Sequence, residues 1–383
     1  MKGLLLLLCS CAFAQDIKIL DKGKLLSYNN GDDFQTTITG RLHYDGANYA
    51  NGDQNGTDLR DATITWKTKT GANWSTKFEA EFSKGETVTK EAWGAYKFAE
   101  NWTATLGQMK EPFGMNQLTS GADRSFMESA LPTVFQPKTH LGMSLKTKGD
   151  AWHLTAGAYG RSVDANSNES LSARFVALPW RHDEGFLHVG LAASYRNPTG
   201  DANGTLRYKV RPETFVNGTS LLNTGTIDQV ENCRLLGLEL AGAHRSFHYQ
   251  GEWTSSKVMR EGVGQDATFN GWYMETGYVL TGESRPYNAG TGVFKRLKPS
   301  KQRLPFALEL TARYSTLNLT DTGAGYHGGD TKNATVGLSL YMGLNFRLIY
   351  NQVFVNPNSV AEGSTYLPGE DFSFHQMRLQ VVF

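Results

Sequence analysis

The sequence predicts an all-β protein, a sixteen-stranded antiparallel transmembrane β-barrel with an inward-folded loop. Three observations predict it. Segments of about ten residues alternate apolar and polar side chains along most of the chain, as strands do when one face meets lipid. No later stretch holds ~18 consecutive apolar residues, so no helix can span a bilayer and a closed barrel is the remaining way across. Residues 110–139 follow neither a strand nor a helix pattern, yet they carry Phe113, Met115, Leu118, Phe126, Met127, Leu131, Val134 and Phe135. That apolar area must pack against something, and in a barrel the lumen is the place available. The segment therefore reads as a constriction loop.

Charge is balanced, with Lys+Arg 38 against Asp+Glu 37. The overall field argues against nucleic acid as a partner, so any cationic function must come from local placement. Lys2, the run Leu4 to Leu8 and Ala12-Phe13-Ala14 make residues 1–14 a secretory signal with cleavage before Gln15. Two of the three cysteines leave with it, and Cys233 alone supports neither a disulfide framework nor a thiolate metal site. No cofactor or metal is expected. Residues 15–33 read as a polar periplasmic lead-in and 34–383 as the barrel.

Strand one is expected at Phe34 to Tyr44, with Thr39, Arg41 and His43 on one face. Strand two spans Leu59 to Lys69, with Ala62, Ile64 and Trp66 outward and Thr63, Thr65 and Lys67 inward. Strand three carries Phe78, Ala80 and Phe82 opposite Lys77, Glu79 and Glu81. Val88–Phe98 and Trp102–Met109 precede the loop, and Leu141, Met143 and Leu145 mark strand six. Trp152–Tyr159, Ala173–Leu178, Leu187–Tyr195, Arg234–Ala243, Phe247–Val258 and Phe269–Leu280 follow. Strand thirteen holds Leu308 to Tyr314, the next two flank Met342-Gly343-Leu344, and the last is Phe372–Phe383. The even count, with short and long connections alternating, suits a barrel whose termini are both periplasmic. A basic connection, Phe294 to Pro305, is the exception to that rhythm.

Candidate chemistry is cationic. In the long connection 196–233, Arg207, Lys209 and Arg211 alternate with Leu206, Tyr208 and Val210, which places three cations on one face at ~6–7 Å spacing in an extended chain. One reading is a solvated loop face; the other is a ladder of positive charge entering a pore, of the kind that selects anions. The constriction loop adds Lys110, Arg124 and Lys138 beside Glu111, Asp123 and Glu128, where internal pairing is the alternative. Arg41, Arg60 and Lys67 on the early strands are candidates to line the wall; Arg60 falls on the outward parity near the strand end, which leaves its role open.

The stretches GQMKEPFGMNQLTSGADRSFMESALP (107–132), LRYKVRPE (206–213), YVLTGESRPY (278–287), LELTARYS (308–315) and the Asn333–Asn351 region resemble the phosphate- and polyphosphate-selective porins of Gram-negative outer membranes. The resemblance implies a sixteen-stranded barrel, a homotrimer among outer-membrane lipid and lipopolysaccharide, an inward third loop, and a row of arginines leading anions such as phosphate or chloride to a lysine-rich site. Arg207, Lys209 and Arg211 match that row in position. Ser129 and Lys138 stand where the family commonly has arginine, so general anion preference is the expectation.

An enzyme would need a nucleophile beside a base; His140 with Ser144 is the nearest candidate, and G-x-S-x-G and H-E-x-x-H motifs are absent. A sugar or general-diffusion channel is the serious alternative. Phe113, Phe126 and Phe135 could stack sugars but read better as packing, while Glu79, Glu81, Glu252 and Glu309 could form the acidic half of a general pore. A structural barrel would have no open passage.

Overall fold

The computed structural model describes the chain except residues 1–16, 22–23, 51–54, 161–168, 199–203, 217–218, 263, 301–303 and 361–368. The expected signal at 1–14 lies outside the described residues.

Sixteen strands close into a barrel: β1 Phe34–Tyr49, β2 Gly56–Thr70, β3 Trp74–Glu81, β4 Val88–Ala99, β5 Trp102–Lys110, β6 Thr139–Lys148, β7 Trp152–Tyr159 and β8 Glu169–His182. The second half is β9 Gly185–Asn197, β10 Val230–His244, β11 Phe247–Arg260, β12 Ala267–Val279, β13 Phe306–Asp321, β14 Tyr326–Met342, β15 Phe346–Ser359 and β16 Phe372–Val382. Each pairs antiparallel with the next, and β16 returns to β1 from Phe374↔Tyr49 to Val382↔Arg41. Closure leaves no barrel strand with an unpaired edge, which is what hydrocarbon demands of a backbone. The terminal Phe383 completes the seam by exchanging backbone hydrogen bonds with Gly40, and its ring occupies the space a Cβ at Gly40 would need. The lead-in is not irregular: Ile17–Asp21 and Lys24–Asn30 form a hairpin that pairs with β1.

Side chains alternate as lipid and lumen require. On β10, Leu236, Leu238 and Leu240 are exposed outward while Glu239 between them is buried. Exposed aromatics gather beside the short turns, among them Trp74, Phe98, Trp102, Trp152, Phe247 and Phe346, as an interfacial girdle does. One bulge breaks the parity. His43 pairs with Asp61 but Tyr44 with Leu59, so Arg60 is the extra residue of β2 and turns inward instead of outward.

The lumen is partly filled. Residues 111–138 fold inward through a helical turn at Met115–Leu118 and a 3-10 turn at Leu131–Phe135. Phe113, Phe126 and Phe135 are buried as packing residues. Gly237, Gly271 and Gly337 of the wall give notches for Phe113, Pro132 and Phe126; a Cβ at Gly237 would lie 3.0 Å from the Phe113 ring. The connection 204–229 packs over this loop, its Tyr208, Leu221, Leu222 and Ile227 joining Phe135, Phe269, Leu317 and Val353 in one apolar core inside the barrel. From the other end the 280–305 connection also enters, placing Val293 and Phe294 against Met115.

Replacing Phe126 by Ala, which empties its seat over Gly337, is expected to lower unfolding stability in urea by about 3–5 kcal/mol. Chemical unfolding in detergent micelles checks this.

Candidate functional site

A loop inside a barrel brings backbone donors and acceptors that lumen-facing side chains must satisfy. Here arginines from the wall do so. Arg313 of β13 donates to the Glu128 carbonyl at 2.9 Å, and Arg347 of β15 to those of Arg124 and Ser125 at 2.6 and 2.8 Å. Arg378 of β16 donates to the Met127 carbonyl at 2.5 Å and to the Glu128 carboxylate at 2.7 Å. Arg285 of the 280–305 connection reaches the Asp123 carbonyl and the Ser125 hydroxyl. At the loop's other end Glu252 accepts from the backbone N–H groups of Met115 and Asn116 at 2.9 and 2.6 Å and from Gln136 at 2.9 Å. The 280–305 connection is itself held by Arg174, which donates to the carbonyls of Thr291 and Gly292 at 3.0 and 2.9 Å.

What stays open is a cavity of about 480 Å³ between the constriction loop and the wall of β1–β6. Ten cationic and six acidic side chains line it. Six of the cations are paired: Arg41 with Asp61 at 2.7 Å, Arg60 with Glu128 at 2.9 Å, Lys77 with Glu79 and Glu91, Lys90 with Glu81, Lys295 with Asp123 and Arg378 with Asp45 and Glu128. Lys67, Lys110, Arg124 and Lys138 have no carboxylate within 4 Å among the described residues. Lys110 donates instead to the Gln117 carbonyl at 2.8 Å, and the buried Arg124 Nε lacks a partner among them. Burial lowers the Arg124 guanidinium to about 10, against the pull of Glu128. Burial also acts to raise the Glu128 carboxyl, but Arg60 and Arg378 outweigh it and hold the group at about 2.

The structure thus brings Arg41, Lys67, Lys110, Arg124 and Lys138 around one cavity. Arg207, Lys209 and Arg211 lie elsewhere, in the connection that covers the constriction loop, where Lys209–Val210 pairs with Leu222–Asn223. Their alternation is real: Arg207 and Lys209 are exposed while Tyr208 between them is buried. Arg211 touches the passage indirectly. Its guanidinium lies 4.8 Å from the Phe215 ring centre and that of Arg60 only 3.6 Å from the same ring. Inward parity is the only sequence signal for Arg313, Arg347 and Arg378, and it does not mark them as clamps; Arg285, in an irregular connection, carries no such signal. Of the four glutamates considered as an acidic half, Glu79 and Glu81 line the passage, whereas Glu252 and Glu309 are buried outside it. Ser144 donates to the Met109 sulfur and His140 lies against Glu111 at 2.6 Å, so the two do not form a nucleophile–base pair.

A sixteen-stranded barrel narrowed by an inward loop defines an outer-membrane porin, a channel of the Gram-negative outer membrane. The chain belongs to the family described as phosphate-selective porin O and P, whose model matches residues 36–383. It is 24% identical over 312 residues to Porin O of Pseudomonas aeruginosa, covering 73% of this chain and 70% of that one. An uncharacterized protein of Caulobacter vibrioides is 28% identical over 290 residues, 70% of this chain; the match spans only 57% of that relative's length. Among solved structures, the fold is shared with an anion-selective porin from Comamonas acidovorans (TM-score 0.59, 11% identity, 92% of this chain and 100% of that one). It is also shared with the trimer form of OmpT of Vibrio cholerae (TM-score 0.58, 9% identity, 92% and 100%).

Two outcomes follow from the clamp. Arg378→Leu leaves Asp45 buried without its partner and Glu128 held by Arg60 alone, a loss of about 3–5 kcal/mol, and removes the bond to the Met127 carbonyl; single-channel conductance is expected to rise and become heterogeneous. For Glu128 the folded value lies below the unfolded value of ~4.3, so its contribution is complete above that pH and is lost as pH falls toward 2. Loss of the Glu128 contribution should therefore change the conductance of the unmodified channel as pH falls below about 4.5, which conductance recorded between pH 4.5 and 2 would show.

Proposed function

We propose that this porin prefers anions, phosphate and chloride among them, and selects them in the passage between the constriction loop and β1–β6. The observation that carries this reading is the set of four cations, Lys67, Lys110, Arg124 and Lys138, which line the cavity with no carboxylate beside them among the described residues. An anion ~4 Å from one of them gains on the order of 4 kcal/mol at an effective dielectric near 20, before desolvation is subtracted. Four such charges in one passage attract without trapping, which conduction requires. The paired lysines and arginines add little net field, because their carboxylates lie within 4 Å.

A general-diffusion pore would set an acidic row against the basic one. Every carboxylate that lines this cavity is already paired, and Glu252 and Glu309 serve the clamp and the wall. A sugar channel would offer exposed rings, yet the loop phenylalanines are buried. Arg207, Lys209 and Arg211 act at longer range, raising anion concentration near the mouth within a Debye length of ~8–10 Å. The Comamonas porin of the same fold is anion-selective, which supports anion passage, and the Vibrio outer-membrane protein has a trimer form, which supports a trimer.

In a KCl gradient across a planar bilayer the reversal potential should be anion-directed. Replacing Lys67, Lys110 and Lys138 together by Gln should bring it close to zero. Replacing Arg207, Lys209 and Arg211 should produce a smaller change that disappears in 1 M salt. A cation-directed potential in the unmodified channel would refute the reading.

A further inference from the structure

We propose that a second recess, beside the constriction and under the 204–229 connection, binds small organic phosphates by holding an anionic head and an apolar body at once. The recess encloses about 250 Å³. Lys138 and Arg207 supply its uncompensated positive charge, and Val134, Pro137, Leu206 and Tyr208 supply apolar lining. Arg196 also faces it, but Glu111 takes up that charge at 2.9 Å. Neither Lys138 nor Arg207 has a carboxylate within 4 Å among the described residues. Arg207 is oriented by Asn223 Oδ1, which accepts from its Nε at 2.9 Å.

The apolar side is rigid. Tyr208 meets Phe135 edge to face at 4.9 Å, and its hydroxyl lies 2.7 Å from the Ser256 hydroxyl. A cavity of about 150 Å³ already admits a benzene ring, so this one has room for a ring and a phosphate together. The main passage differs, being lined almost throughout by charged and polar groups. Lys138 borders both spaces, so an anion held in the recess is one side chain away from the passage. An inorganic anion can use only the cations here; an aryl phosphate also loses apolar surface from water. Among anions, the recess therefore discriminates by the body of the solute.

The inference rests on the reading that cations without carboxylates bind anions, and the test separates the two. Chloride current through the unmodified porin is titrated with inorganic phosphate, 4-nitrophenyl phosphate and neutral 4-nitrophenol. Half-block by 4-nitrophenyl phosphate is expected at about one-tenth the concentration that inorganic phosphate needs, with no block by the neutral phenol. Val134→Trp, which fills the recess and keeps every cation, should bring the two phosphates to equal potency. Arg207→Gln, at an exposed position, should weaken the aryl phosphate several-fold. Equal half-block by the two phosphates in the unmodified channel, an advantage unchanged in Val134→Trp, or no block by either overturns the recess. The reversal potential recorded in the same bilayers reports the broader anion preference separately.

Discussion

Everything in this barrel depends on satisfying the backbone of a loop that has been taken out of water. Carbonyls and N–H groups buried without partners cost free energy comparable to lost hydrogen bonds. The chain meets that demand with charged side chains, because a guanidinium offers several donors in a fixed fork. Arg313, Arg347 and Arg378 hold carbonyls of residues 124–128, and Glu252 holds the N–H groups of 115 and 116. Each anchor stands on a paired barrel strand, so the loop inherits the rigidity of the wall.

That anchoring decides which side of the lumen stays open. The clamp draws residues 111–138 onto the β10–β16 side, where the 204–229 connection seals over them with an apolar core. The 280–305 connection enters from the opposite end and fixes Asp123 through Lys295 and the Arg296 N–H. The passage is the remainder, along β1–β6. Charge thus has two separate uses. Cations on the filled side are structural and matched to carbonyls or carboxylates, whereas those on the open side include four with no matching carboxylate among the described residues.

The strands were legible in the sequence because lipid and lumen impose opposite polarity on alternate residues, and that constraint acts at every position. Arg60 stayed ambiguous because a single bulge reverses parity without leaving a mark in the pattern. The inward path of 280–305 escaped because an irregular segment held by carbonyl contacts has no period to read. Within the candidate site, Arg41, Lys67, Lys110, Arg124 and Lys138 could be singled out by parity and by their position in or near the loop. The same reasoning could not tell a cation facing a solute from one facing a backbone carbonyl, since both point inward. Arg207, Lys209 and Arg211 show a further ambiguity: their alternation was legible, but the fold of the connection that carries them was not.

Ions should cross the lumen along its open, cation-lined side and not along the filled side. Thiol accessibility tests it directly in a background where Cys233 is replaced by Ser. Cysteine is introduced at Lys67 on the open side or at Thr335 on the filled side, and current is followed while anionic and cationic methanethiosulfonates are added. Each rate is normalised to the same reagent's rate with a free thiol. Lys67→Cys is expected to react and alter the current, faster with the anionic reagent, while Thr335→Cys, buried against Glu213, is expected to stay silent. Rapid modification at Thr335, or faster reaction of the cationic reagent at position 67, would contradict it.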